Sequence, residues 1–283
     1  MSSLLPRRFK PGAAVTKASL RATPPPEQIP ASPNGGLTAE RTSYASSLPV
    51  PTSDVPLCSS FSSSHLTLGA GVAIFHLASA RVVLCYHSKE HYYFLPKGRK
   101  DMNEVLTRGA EREGYEESGY RNRLLPLPIP HRQPRPHQPE NERPDQFVTE
   151  AVWVQLAPVT RSTQYILFWY VAETVPPALE EELSAKERES GGLYQAPKAF
   201  ESDMTIQNRI EKEGKGYEPV RHDDTGVNED EKLYLSLLVS VEEAVRSLGP
   251  SSISADVVTK GWDAIQRRIQ MESSSVETNE DPN

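Results

Sequence analysis

A chain of 283 residues with 37% apolar residues and 25 prolines has room for one folded domain rather than two. Its formal charge of −7 argues against a protein held to nucleic acid by net electrostatics. Two cysteines, Cys58 and Cys85, make no disulfide framework and point to a reducing compartment, and no apolar run approaches the ~18 residues of a membrane span.

Residues 1 to about 63 are rich in Pro, Ser, Thr, Ala and Gly and are expected to form a disordered arm. Arg7, Arg8, Lys10, Lys17 and Arg21 occur there before any acid, as in an organelle-targeting segment. Pro6 and Pro11 interrupt an amphipathic helix, so a plain arm is preferred over a mitochondrial signal. The folded part should begin near Leu66. Leu68, Ala70, Val72 and Ile74 partly alternate with Gly69, Gly71 and Ala73, which predicts a strand with close backbone approach at the glycines. Residues 81 to 86 and 92 to 95 predict two more strands around a polar turn.

A helix is expected over about 102 to 118. Asp101 and Glu104 have capping-box spacing, and Gly119 suits a left-handed C-terminal residue. The proline-rich stretch 126 to 144 cannot be helix or central strand and reads as an excursion from the core. It carries His131, Arg132, Arg135 and His137; the histidines are weak metal candidates, and a basic flap or an inert insertion are the two readings. Strands are predicted at 147 to 156 and 164 to 172. Residues 173 to 217 form a long acidic insertion with helical pieces, expected to border the active site. A strand at 232 to 239 precedes a helix at 241 to 248, capped by Ser240 and Glu243 and stopped by Gly249-Pro250. Val258, Trp262, Ile265 and Ile269 give a last helix one apolar face, and 272 to 283 read as a flexible acidic tail.

The chemistry concentrates between 98 and 120. Glu113, Glu116 and Glu117 are spaced so that one helical turn points three carboxylates the same way. Gathered like charges repel. A hard divalent cation, Mg2+ or Mn2+, relieves that repulsion because it favours oxygen ligands. Arg112 lies within reach of Glu113 and Glu116 and can hold a carboxylate by a charged hydrogen bond. Lys97, Arg99 and Lys100 stand just upstream, suited to a polyanion. The bland alternative is a solvated acidic helix.

Gly98, Glu104, Arg112, Glu113, Glu116, Glu117, Gly119 and Tyr120 fall at spacings that resemble the Nudix box: Gly, five residues, Glu, seven residues, Arg-Glu, two residues, Glu-Glu, one residue, Gly and an apolar residue. Gly114 departs from the pattern, where an aliphatic residue is usual, and should loosen packing beneath the carboxylate face and lower helix propensity. The resemblance implies an α/β fold, a mixed β-sheet sandwiched between helices, over about 64 to 271, with insertions at 126 to 146 and 173 to 217. It implies a pyrophosphohydrolase that uses Mg2+ or Mn2+, with Gly98, Glu113, Glu116 and Glu117 as metal contacts. Arg112 and Glu104 become a supporting ion pair, and Glu113 or a glutamate outside the box becomes the base. Lys97, Arg99 and Lys100 become phosphate contacts, and Pro96-Lys97-Gly98 favours a dinucleoside polyphosphate or diphosphoinositol polyphosphate. ADP-ribose or another nucleoside-diphosphate-linked substrate is the alternative, and a binding module that does not cleave its phosphorylated ligand is the third. The expected partner is a small phosphorylated molecule, with no membrane and no nucleic acid, capped RNA excepted. The expected location is the cytoplasm, with the nucleus also open.

Overall fold

The computed structural model describes residues 58–134, 146–158 and 163–277. The expectations for the arm before Cys58, for Arg135 and His137 and for the tail beyond Glu277 lie outside these residues. The chain runs β1 (Leu66–His76), β2 (Arg81–His87), β3 (Tyr92–Phe94), β4 (Lys97–Arg99), α1 (Leu106–Ser118), β5 (Asn122–Leu124), β6 (Trp153–Pro158), β7 (Gln164–Thr174), α2 (Pro177–Glu189), α3 (Ile206–Glu213), β8 (Tyr234–Ser240), α4 (Val241–Leu248) and α5 (Ile253–Glu277). The strands form one mixed sheet with the central order β3-β2-β1-β7-β5, to which β8 adds on β2, β4 on β1 and β6 on β7. β1 and β7 are parallel from Leu66↔Gln164 to Phe75↔Glu173, and β4 is antiparallel to β1 with Gly98 opposite Ala70.

Strand alternation sorts the apolar residues onto two faces. Even-numbered Ala70, Val72 and Ile74 pack with Tyr170, Ala172 and Ala110 of α1. Odd-numbered Ala73 and Phe75 pack with Trp169, Val171 and, from α5, Val257, Val258 and Ile265. Phe75 stacks on Trp262 with ring centroids 5.7 Å apart. Fully burying a side chain such as Phe75 stabilises the fold by about 1.5–3 kcal/mol. The expected α/β class, a mixed sheet between helices, is therefore what the chain adopts.

Several boundaries differ from the expectation, each for a local reason. α1 begins at Leu106 rather than near 102, with Val105 as an N-cap that makes no side-chain bond. Asn103 has φ of 67°, which a helix cannot include. Half of the capping box forms nonetheless, since Asp101 N–H donates to Glu104 Oε2 at 2.8 Å. The excursion starts later than 126, because Leu127 is fully buried and its N–H donates to Val148 O at 2.9 Å. Val148 serves that contact, Phe147 lies under the Arg268 guanidinium, and β6 starts only at Trp153. α4 keeps its expected bounds, capped by Ser240 Oγ, which accepts from Glu243 N–H at 3.2 Å. α5 continues to Glu277, so residues 272 to 277 are helix.

The long acidic insertion supplies α2 and α3. A buried ion-pair chain ties α3 to the sheet. Glu173 meets Arg123 at 2.5 Å and Arg209 at 2.8 Å, Arg209 meets Glu213 at 3.2 Å, and the chain ends in a hydrogen bond between Glu213 Oε1 and His76 Nε2 at 2.9 Å. Charges this deep survive only as mutual partners. Among the described residues no helix is long and apolar enough to cross a membrane.

Candidate active site

Three short stretches assemble the site: β4, α1 and the segment before β8. Arg112 is its hub. A guanidinium offers five N–H donors, and here all are used. Nε and Nη2 hold Glu104 by a two-toothed pair at 2.9 Å each. Nη1 donates to Glu113 Oε1 at 2.9 Å and Glu116 Oε2 at 2.7 Å. Nη2 also donates to Arg99 O at 3.0 Å. Glu117 rests on the same strand two residues earlier, its Oε2 accepting Lys97 N–H at 2.7 Å. The predicted Glu104, Arg112, Glu113, Glu116 and Glu117 therefore do come together.

Gly98 lies between them by necessity. A Cβ there would sit 1.9 Å from Glu113 Oε2, so only glycine lets that carboxylate rest on the strand. The Gly98 carbonyl, expected as a metal or phosphate contact, accepts a hydrogen bond from Tyr165 Oη at 2.9 Å. The predicted cations have different surroundings. Lys97 is half-buried beside Glu117, with Nζ 5.8 Å from the Phe94 ring centroid. Lys100 Nζ turns back to Asp101 O at 2.8 Å, and Arg99 is exposed.

Gly114 does not loosen the packing as expected. A Cβ there would come 2.5 Å from Asn122 Nδ2 and 2.9 Å from Val72 Cγ1. Asn122 fills the space an aliphatic side chain would take, and its Nδ2 donates to Glu111 O at 2.9 Å. The glycine here exchanges one side chain for another across the helix–strand contact.

The carboxylates carry their charge unequally. Burial works against the charge of Glu104, but the Arg112 hydrogen bonds and the Asp101 N–H outweigh it and hold the pKa below its ordinary value. Glu113 and Glu116 receive one Arg112 bond each. Burial, with neighbouring negative charge adding to it, pushes Glu113 up to about 7 and raises Glu116. Burial pushes Glu117 up to about 8, against the attraction of Lys97. Glu231 is a further source of that negative charge at Glu113, Glu116 and Glu117.

Nothing in the spacing of the helix pointed to Glu231. It comes from the segment that closes over the end of α1. There His222 N–H donates to Gly119 O at 2.8 Å, and Thr225 Oγ1 donates to Glu116 O at 2.9 Å. A cavity of about 380 Å3 lies between this segment and the helix, lined by Glu116, Glu117, His222, Asp224, Glu231 and Tyr234 among others. The only sequence signal for it is a run of acids just before an apolar strand. The insertion holding α2 borders α1 on another side, through Tyr115 Oη to Glu187 at 3.2 Å and Arg108 Nη1 to Pro197 O at 2.8 Å.

Among the described residues no three or more His, Cys, Asp or Glu side chains draw together closely enough to cage an ion. Glu113 and Glu116 are drawn instead to one guanidinium nitrogen. The donor set still fits Mg2+ or Mn2+ chemically: hard carboxylate oxygens, partly buried, whose negative charge is unfavourable without more positive partners. A stability test follows. An acid whose folded pKa is raised binds its proton more tightly when folded, so its contribution is complete below its ordinary value and is lost as pH rises through the folded value. For Glu113 and Glu117 the loss runs from the ordinary 4.5 up through about 7 and about 8. The melting temperature in EDTA should therefore fall between roughly pH 5 and pH 8.5, and Mn2+ should raise it more at the upper end. A melt in EDTA that is flat or rises over that window would contradict the placement of these two carboxylates.

No family model and no curated protein matches the sequence. Solved structures resemble the fold. A Nudix hydrolase from Nitrosomonas europaea is 12% identical over 69% of this chain and 86% of its own, with a TM-score of 0.33. A Nudix-family hydrolase from Clostridium perfringens is 13% identical over 71% and 97%, at 0.35. The C. elegans Ap4A hydrolase is 12% identical over 73% and 97%, at 0.32. At such identities and TM-scores, chemistry has to be read from this chain's own side chains.

Proposed function

We propose that the protein is a Nudix-type pyrophosphohydrolase that splits the phosphoanhydride of a diphosphate-linked or polyphosphate substrate with the help of Mg2+ or Mn2+. The observation that carries this reading is the Arg112 hub, which gives four hydrogen bonds to Glu104, Glu113 and Glu116 and a fifth to the Arg99 carbonyl, keeping these acids in one cluster beside Glu117. A pure binding module has no use for so much acid at a phosphate site.

Glu113, Glu116 and Glu117 would hold the cation, which neutralises phosphate oxygens and makes water a better nucleophile. Water adds to one phosphorus, the bridging P–O bond breaks, and two phosphorylated products leave. A carboxylate accepts the proton lost by water, and Glu113 or a glutamate outside the box takes that role. Lys97 is the cation best supported as a phosphate contact, since it neighbours Glu117 while Lys100 is bonded to the backbone.

The long-polyphosphate reading draws on Lys97, Arg99 and Lys100 together, with Lys97 beside Glu117 and Arg99 exposed two residues along the same strand. A nucleoside-diphosphate-linked substrate is the second reading. It is favoured by Tyr234, a half-buried ring that lines the cavity beside Glu117 and Glu231. Aromatic faces of this kind stack on bases. A panel of diadenosine polyphosphates, diphosphoinositol polyphosphate, capped RNA, ADP-ribose, NADH and nucleoside triphosphates, with kcat/KM for each, separates the readings. A dinucleoside or inositol polyphosphate preferred tenfold, and lost in Lys97→Gly, supports the first. ADP-ribose preferred with or without Lys97 supports the second. No product from any member at any metal concentration rejects the hydrolase.

A further inference from the structure

β4 is only three residues long, yet each of them gives something to the carboxylate cluster. Lys97 N–H donates to Glu117, Gly98 offers the bare Cα against which Glu113 rests, and Arg99 O accepts from Arg112. The strand is the template for the site. Its ladder partner is β1, through the pairs Gly69↔Arg99, Ala70↔Gly98 and Gly71↔Lys97. One more bond reaches it from beyond β1. Tyr165 belongs to β7, which lies on the far side of β1 from β4. Its ring leans across β1 over Gly69, where a Cβ would sit 1.9 Å from Oη, and Oη donates to Gly98 O at 2.9 Å. Gly98 is thus held between a phenol on one side and the Glu113 carboxylate on the other.

We propose that Tyr165 is a positioning residue of this site, whose hydroxyl pins Gly98 and so fixes the seat of Glu113 and the two backbone contacts beside it. The inference rests on the hydrolase reading for its effect on turnover, but its effect on cation binding does not require a substrate. Tyr165 touches no reacting atom. It acts through β4, as groups behind metal ligands do, and loss of such a partner costs about 10–100-fold in affinity or activity.

The test compares Tyr165→Phe, which removes only the hydroxyl, with Tyr165→Leu, which also removes the ring, in the full-length chain. Free Mn2+ is titrated by electron paramagnetic resonance without substrate, and turnover is measured on the best panel member. Tyr165→Phe should melt cooperatively like the parent, bind Mn2+ roughly tenfold more weakly and lose about as much in kcat with KM little changed. Tyr165→Leu should be no better. Parent-like Mn2+ affinity in Tyr165→Phe, with impairment confined to Tyr165→Leu, overturns the proposal in favour of ring packing. Loss of cooperative melting in Tyr165→Phe overturns it in favour of a bond needed for the fold. A parent protein that binds Mn2+ but hydrolyses nothing refutes the hydrolase reading while the affinity comparison still decides this one. A parent that binds no Mn2+ removes both.

Discussion

Glu117→Gln is expected to keep the fold and lose almost all activity. The carboxylate accepts Lys97 N–H at 2.7 Å through Oε2, and the amide oxygen of glutamine can accept the same bond. The charge is what disappears. A cation at a phosphoryl site contributes several kcal/mol of transition-state stabilisation, so weakening its hold should lower kcat on the order of 10²–10³-fold. Stability should move the other way. In the folded protein burial makes the ionised form of Glu117 unfavourable and lifts its pKa to about 8. A neutral glutamine is free of that penalty, so the variant in EDTA at pH 8.5 should melt no lower than the parent. Assays in metal-stripped buffer reconstituted with Mg2+, paired with melts of the same preparations, test both halves. Equal turnover by parent and variant would remove Glu117 from the site.

The second large effect is on the fold. Arg112→Met keeps most of the apolar stem but leaves Glu104, Glu113 and Glu116 without their shared partner. The side chain of Arg112 is 12% exposed and those of its three partners 15%, 10% and 13%, so water compensates poorly. Breaking such a pair by removing one member costs about 3–5 kcal/mol, which for a domain of this size is a fall in Tm on the order of 10 °C at neutral pH. The loss should shrink toward pH 5, where Glu113 and Glu116, both raised by burial, take up protons and no longer need the guanidinium. Arg112→Lys should fall between the parent and Arg112→Met, because an ammonium keeps the charge but cannot match the two-toothed geometry at Glu104. A Tm for Arg112→Met within about 2 °C of the parent at pH 7.5 would show that solvent carries the carboxylates instead.

These two substitutions were legible in the sequence for different reasons. The spacing of Glu113, Glu116 and Glu117 is a local property, since a helix turns every three to four residues whatever surrounds it. So is the sorting of β1 into Ala70, Val72 and Ile74 on one face and Ala73 and Phe75 on the other, because a strand alternates by stereochemistry. The C-terminal stop at Gly119 is equally local, with φ of 75°. The reach of Arg112 back to Glu104, eight residues away, was available only through the resemblance to the box, because Glu104 lies outside the helix, which begins at Leu106.

Other features depend on groups far apart in the chain, and only the packed structure decides them. Gly114 looked like a weakness on its own helix, but Asn122 and Val72 occupy the room its missing side chain leaves. Glu231 belongs to a charged run that reads like any solvated loop until His222 and Thr225 dock it on the end of α1. Lys97, Arg99 and Lys100 look equivalent as three neighbouring cations, yet Lys97 lies by Glu117 while Lys100 turns back to Asp101. Tyr165 reads as a sheet aromatic, and its bond to Gly98 exists because β1 carries glycine at 69 and lets a ring from β7 cross over it. Local stereochemistry alone determined the acidic helix face, the alternating strands and the helix stops. Which groups stand behind that face was decided by strand order and loop docking, where contact energy between distant residues, rather than the conformation of neighbours, selects the partner.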